Sequence, residues 1–175
     1  MSSLVERMVR AARLDVKVYE EVEADKEAIS QAMAAVLLSS VAAGIARIAT
    51  MGVGGIVLGT VGALLGWLIW AYLIYFIGTR LLPEPKTKAD VGELLRTLGF
   101  ASSPGVIRIA GIIPGLTWLS FIVASVWMFV SMVVAVRQAL DYSSTARAVG
   151  VCLIGFLLQI VILAVVFTAL GRPGA

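Results

Sequence analysis

Residues 48–79 read IATMGVGGIVLGTVGALLGWLIWAYLIYFIGT, and these 32 positions contain no Asp, Glu, Lys or Arg. Three further stretches are equally free of charge, at residues 28–46, 109–136 and 148–171. An apolar helix of about 20 residues crosses the hydrocarbon layer of a bilayer. The sequence therefore predicts an all-α, polytopic transmembrane helix bundle that forms one membrane domain over residues 28–171.

The composition argues for a membrane protein and against several kinds of chemistry. Hydrophobic residues make up 60% of the chain and charged residues 14%, whereas soluble domains have about 25% charged residues. Histidine, the commonest general base and metal ligand, is absent, and the single cysteine, Cys152, lies in an apolar run. We expect no catalytic residue, no metal, no cofactor and no nucleic-acid partner.

Residues 1–27 are predicted to form a cytosolic amphipathic segment. At 100° per residue, an apolar arc faces a charged arc along a helix over residues 4–22. The candidate contacts with lipid or a protein partner on the apolar arc are Leu4, Met8, Val16 and Tyr19. Such a helix could lie flat at the headgroups, or it could pack on cytosolic loops of the same protein. The sequence leaves both readings open.

About five spans are expected, at residues 28–46, 56–78, 104–116, 117–137 and 148–170. A cytosolic link over residues 80–103 contains a second amphipathic surface helix, with apolar residues at helical spacing. The third span is ambiguous because Pro104 and Pro114 enclose only about ten residues, which as an α-helix would rise about 15 Å. It is either a short span or a re-entrant segment.

Charge predicts the orientation. Most of the 14 Lys and Arg residues fall in the N-terminal segment, in residues 80–103 and near the turn before the last span. Basic residues concentrate on the cytoplasmic side. We therefore expect a multi-pass protein of the cell (cytoplasmic) membrane with a cytosolic N-terminus. The charge distribution does not decide between four and five spans.

Small residues in the second span suggest helix packing. Gly55 and Gly59 are four residues apart, as are Gly62 and Gly66, a spacing that lets helix backbones approach closely. We expect these glycines to pack against another span of the same chain; contact with a second copy is the alternative. Gln159, in the middle of the last span, is expected to bond a neighbouring helix rather than a transported solute.

Two arginines are candidate contact residues. Arg96 lies on the charged side of the second surface helix, where it could meet a partner or anionic headgroups. Arg108 lies within the third apolar segment, and an ionisable group at membrane depth is a functional hypothesis by default. Its possible partners are Glu93, Asp90, Asp141 or a lipid phosphate. The simpler interpretation is that Arg108 extends to water at an interface.

Three motifs resemble the Yip (Ypt-interacting protein) domain family, particularly its prokaryotic members. They are DVGELLRTLGFASSP at residues 90–104, IIPG at residues 112–115 and VRQAL at residues 136–140. The resemblance implies five spans with a short third span, a cytosolic N-terminus, and a membrane organiser rather than an enzyme.

The leading hypothesis is thus a non-enzymatic, Yip-like membrane protein that acts as a scaffold or recruits a protein partner on its cytosolic face. It would contact the lipid bilayer, and its oligomeric state is left open. The alternatives are a small transporter or channel, or an accessory subunit of a larger membrane complex.

Overall fold

The computed structural model describes residues 2–170, which form seven α-helices. They are α1 (Leu4–Ala12), α2 (Val16–Ala24), α3 (Ala28–Ala46), α4 (Ile48–Phe76), α5 (Val91–Ala101), α6 (Thr117–Ala139) and α7 (Thr145–Leu170). A π-helical turn, Ile77–Leu81, extends α4, and a 3-10 helix, Ser103–Ile112, follows α5. Four helices are long and apolar enough to cross a membrane: α3, α4, α6 and α7. The predicted all-α membrane bundle is confirmed.

The N-terminal segment is two helices rather than the single helix predicted over residues 4–22. α1 ends at Ala12 with Arg13 as its cap, and Leu14 then adopts a positive φ of 61°, which stops the helix there. Asp15 then starts α2, because its carboxylate accepts a hydrogen bond from the Lys17 amide at 3.0 Å. The resulting turn folds α2 back against α1, and the Tyr19 hydroxyl donates to the Ala11 carbonyl at 3.2 Å.

The helix of the second span also begins earlier than predicted. It starts at Ile48 rather than at residue 56, with one non-helical residue, Gly52, at φ 63°. A left-handed backbone conformation of this kind favours glycine, which has no Cβ. The kink therefore lies inside the long apolar stretch and does not end the helix.

The segment from Gly99, in the last turn of α5, to Gly111 in the 3-10 helix runs alongside α3 from its first turns to its last residue. A Cβ on Gly99 would lie 2.7 Å from that of Ala32, one on Gly105 3.0 Å from that of Ser39, and one on Gly111 3.1 Å from that of Ala46. These close approaches recur every seven residues along α3. The segment therefore joins opposite ends of the bundle instead of returning to the end from which it came.

The 3-10 geometry explains how so few residues achieve this. A 3-10 helix rises about 2.0 Å per residue, against 1.5 Å for an α-helix. The ten residues of Ser103–Ile112 therefore cover about 20 Å rather than about 15 Å. Ser39 of α3 fixes the start of this segment, because its hydroxyl donates to the Ser102 carbonyl at 2.6 Å.

The bundle has two ends that differ in packing. We call the end that holds α1, α2 and the start of α3 the near end, and the end where α3 stops and α6 begins the far end. The largest fully buried side chains lie in the near half and include Tyr19, Phe100, Ile74 and Leu140. The most apolar stretch of α4, 18 residues long, contains no buried residue. Much of this helix therefore exposes apolar side chains.

We predict that Gly99→Ala destabilises the fold by about 1–3 kcal/mol, because its Cβ would meet Ala32 Cβ and backbone atoms that cannot move aside easily. Gly62→Ala is the matched control, since its Cβ would meet nothing within 4 Å. Unfolding followed by tryptophan fluorescence in a mild detergent measures both. Equal stability of the two variants would contradict the proposed contact.

Candidate functional site

A buried arginine attaches the N-terminal helices to the bundle. Arg7 is 3% exposed, and its guanidinium donates to Glu21 at 3.0 Å, to Asp25 at 2.8 Å and to Gln31 of α3 at 3.1 Å. Arg10 donates to the second oxygen of Glu21 at 2.6 Å. The hydrogen bond from Arg7 lowers the pKa of the Asp25 carboxyl. This network joins α1, α2 and α3.

Arg96 connects α5 to the same unit. It is 7% exposed, and its Nε donates to the Val22 carbonyl at 2.9 Å while one terminal nitrogen donates to the Glu23 carbonyl. A cation that bonds the last carbonyls of a helix also complements the helix dipole. The prediction that Arg96 contacts a partner or headgroups is therefore wrong: burial places its side chain inside the protein, at the end of α2.

The four apolar candidates of the N-terminal segment have different environments. Tyr19 is fully buried and Met8 is 9% exposed, so both pack inside the protein and not against lipid or a partner. The turn at Leu14 is the reason, because it folds α2 onto α1 and encloses their facing sides. Leu4 is half-buried, and Val16 is 40% exposed and remains available at the surface.

Four carboxylates from three elements surround a hollow at the near end. Glu20 and Glu23 of α2, Glu93 of α5 and Asp141 of the turn after α6 line this acidic hollow of about 430 Å³. Burial, together with the neighbouring charges of Glu93 and Asp141, raises the pKa of Glu23 to about 7. Sequence reasoning missed this cluster because its members are far apart in the chain.

Arg108 lies near the far end and has another arginine as its neighbour. The guanidinium carbons of Arg47 and Arg108 lie 4.1 Å and 5.4 Å from the centroid of the Phe121 ring. One terminal nitrogen of Arg108 donates to the Ser125 hydroxyl at 3.2 Å, but its buried Nε has no hydrogen-bond partner. Over residues 2–170, no carboxylate forms an ion pair with either arginine, so the acidic partners considered for Arg108 are not used.

The glycines of α4 do not pack as predicted. A Cβ on Gly59, Gly62 or Gly66 would meet nothing within 4 Å, and one on Gly55 would meet only the side chain of Met51 in the same helix. These glycines are open because α4 reaches α3 through another contact, in which Gly44 abuts the backbone and side chain of Ile56. Gly55 and Gly59 instead line a groove between α3 and α4.

Gln159 faces a central cavity of about 200 Å³, which is also lined by Gly66, Trp67, Trp70 and Arg108. The hydrogen bond from Gln159 to a neighbouring helix stays a prediction. Within residues 2–170, the buried indole nitrogen of Trp70 has no hydrogen-bond partner. In contrast, Trp67 donates to the Leu95 carbonyl at 3.0 Å.

In the part of the chain that the structure describes, no group of His, Cys, Asp and Glu residues could hold a metal ion. Cys152 is buried in α7. Charged groups mark both ends of the bundle: carboxylates line the hollow at the near end, and two guanidiniums lie near the far end.

The family model described as the Yip1 domain matches residues 16–166. No curated protein and no solved structure matches the chain.

We predict that the contribution of Glu23 to the stability of the fold falls as the pH rises from about 4.5 to 7. Its raised pKa means that folding favours the protonated carboxyl, so its contribution is present below pH 4.5 and is lost as the pH rises through 7. Glu23→Gln should remove this dependence and stabilise the protein at pH 8 by about 1–2 kcal/mol.

The measurement is unfolding in detergent at a series of pH values. Glu27→Gln, which changes an exposed acid close by in the chain, is the control. Parallel pH profiles for the wild type and Glu23→Gln would show that Glu23 is ionised at no cost in the folded protein.

Proposed function

Because the chain belongs to the Yip1 domain family, we propose that it is a non-enzymatic integral membrane scaffold that recruits a protein partner through its near end. The main support is the pair of buried arginines, Arg7 and Arg96, that fixes α1, α2 and α5 to the bundle. We call these three helices the platform. A fixed surface of this kind suits docking better than a mobile tail does, because little conformational entropy is lost on binding.

In the proposed topology, the chain crosses the cytoplasmic membrane five times, and the platform lies on the cytosolic side. The crossings are α3, α4, the segment from Gly99 to Gly111, α6 and α7. The surplus of Lys and Arg in residues 1–27 and 80–103 supports this orientation. The passage of the short segment along the full length of α3 supports a true third crossing over a re-entrant loop.

The acidic hollow indicates the chemistry of the partner. Glu20 and Asp141 are exposed at its rim, and neither forms an ion pair among the described residues. A partner that brings a basic segment would complement these charges and would relieve the repulsion between Glu23 and its neighbours. We therefore propose a basic protein segment as the ligand of the platform.

The exposed apolar side of α1 supports a membrane-facing position for the platform. Val5 is 68% exposed and Val9 44% exposed. Together with Leu38 of α3 and Val106 of the 3-10 helix, they line an apolar groove that opens at the surface. An amphipathic helix with such a side lies at the headgroup boundary. Lipid contact is therefore proposed for Val5 and Val9, next to the protein-facing Met8.

The size of the central cavity favours a scaffold over the transporter alternative. Its volume of about 200 Å³ is below the range of about 300–1,000 Å³ that is usual for small-molecule sites. No carboxylate lines it, so a proton or cation pathway through this cavity would lack an acidic relay.

We predict a specific labelling pattern for single cysteines introduced into a Cys152→Ala background. With a membrane-impermeant maleimide, Thr50→Cys and Ile112→Cys should be labelled in intact cells, because both residues are exposed at the far end. Glu6→Cys should be labelled only after permeabilisation. Labelling of Glu6→Cys in intact cells would refute the orientation, and labelling of Ile112→Cys only after permeabilisation would make the short segment re-entrant.

We also predict that the double variant Glu20→Gln/Asp141→Asn recovers much less partner than the wild type does. Asparagine tolerates the positive φ of 53° at position 141, so the fold should persist. The measurement is chemical crosslinking in native membranes followed by mass spectrometry. The control, Glu6→Gln/Glu27→Gln, removes two exposed charges away from the hollow, and equal loss of crosslinks in both variants would exclude the hollow as the docking site.

A further inference from the structure

We propose that the far end binds an anionic phospholipid, with its phosphate between Arg47 and Arg108 and an acyl chain in the groove between α3 and α4. This site is independent of the partner-docking role of the platform. It would lie in the leaflet opposite the platform. Neither the family match nor the rest of the fold assigns a ligand to these two arginines.

Two cations from separate elements lie close to one aromatic ring at the far end. Arg47 ends α3, and Arg108 lies in the 3-10 helix, yet both guanidiniums lie within 5.4 Å of the centroid of one ring, that of Phe121. Both arginines line the same groove, so their like charges repel each other across it. An anion between them would convert that repulsion into two attractive interactions. Guanidiniums also match the geometry of phosphate oxygens, which they can bind through two parallel hydrogen bonds.

Arg108 also has a hydrogen-bond donor without a partner. The Nε of Arg108 is buried and has no hydrogen-bond partner, although a buried polar group without a partner is costly. Neither arginine has a carboxylate partner among residues 2–170. At the near end, by contrast, the buried guanidiniums of Arg7 and Arg96 donate hydrogen bonds to acceptors within the protein. The far-end pair therefore lacks an acceptor that a ligand could supply.

An apolar groove begins at these two arginines. It has a volume of about 520 Å³, and its lining includes Ala43 and Gly44 of α3 and Gly55 and Gly59 of α4, in addition to both arginines. The open glycines of α4 leave room here for an apolar chain, which explains why a small-residue face is present without a helix packed against it. An acyl chain in this groove would stay in contact with the bilayer interior.

These features favour a lipid over a free anion. A free phosphate would satisfy the arginines but would leave the apolar groove empty. Basic pockets between membrane helices on the cytoplasmic side bind anionic lipid headgroups, and the two arginines present the same chemistry in the opposite leaflet. The shared chemistry is recognition of phosphate, and the groove selects the source that carries an acyl chain.

The test is native mass spectrometry of the full chain, purified in an uncharged detergent and titrated with phosphatidylglycerol, phosphatidylcholine or inorganic phosphate. We expect saturable phosphatidylglycerol adducts on the wild type, with clearly weaker phosphatidylcholine binding. Arg47→Gln/Arg108→Gln should weaken phosphatidylglycerol binding about thirty-fold, since each basic group contributes about 1 kcal/mol. Arg80→Gln, which removes an exposed arginine from the π-helical turn that extends α4 at the near end, is the control for the loss of a single charge.

Each other outcome overturns the proposal. Equal loss in Arg80→Gln would show non-specific charge attraction, and competition by inorganic phosphate as effective as that of lipid would show a free-anion site. Unchanged adducts in the double variant would exclude the two arginines. If that variant fails to fold, Arg47→Gln alone provides the test, because Arg47 is exposed and its replacement should still weaken binding about fivefold.

Discussion

The close approach of the Gly99–Gly111 segment to α3 is the contact on which the rest of the bundle depends. Helices in lipid have no hydrophobic drive to associate, so packing must come from van der Waals contact between closely spaced backbones. Gly99, Gly105 and Gly111 provide that contact against α3. Because this short segment reaches the far end, α6 begins there and returns, and α7 then starts beside α4 at the near end.

Buried arginines at the near end connect the amphipathic helices to this membrane core. Arg7 and Arg96 both bond acceptors on other helices, so neither charge is left alone in the interior. The same residue type has a different role at the far end, where Arg47 and Arg108 share an aromatic ring and lack acidic partners within the described residues. The two ends thus differ in whether the protein itself satisfies its cations.

Sequence patterns identified the right elements and several wrong contacts. Spacing by four made Gly55, Gly59, Gly62 and Gly66 the expected packing residues, but no neighbouring helix packs closely on them, and Gly55 and Gly59 line an open groove beside α3. The contact that does form combines two different spacings. Gly99, Gly105 and Gly111 are six residues apart, whereas the residues they meet on α3 are seven residues apart. Periodicity within one helix cannot reveal this, because it does not specify which face meets a partner.

The sequence by itself determined that the chain is an all-α membrane protein with long apolar helices, because charge-free apolar runs of about 20 residues or more are long enough to cross the hydrocarbon layer of a bilayer. It also determined which segments are amphipathic. Only the tertiary structure decided that Leu14 reverses the chain and buries Tyr19, and that Arg96 reaches the end of α2. These outcomes depend on contacts between residues up to 74 positions apart, which no local pattern of hydrophobicity or charge encodes.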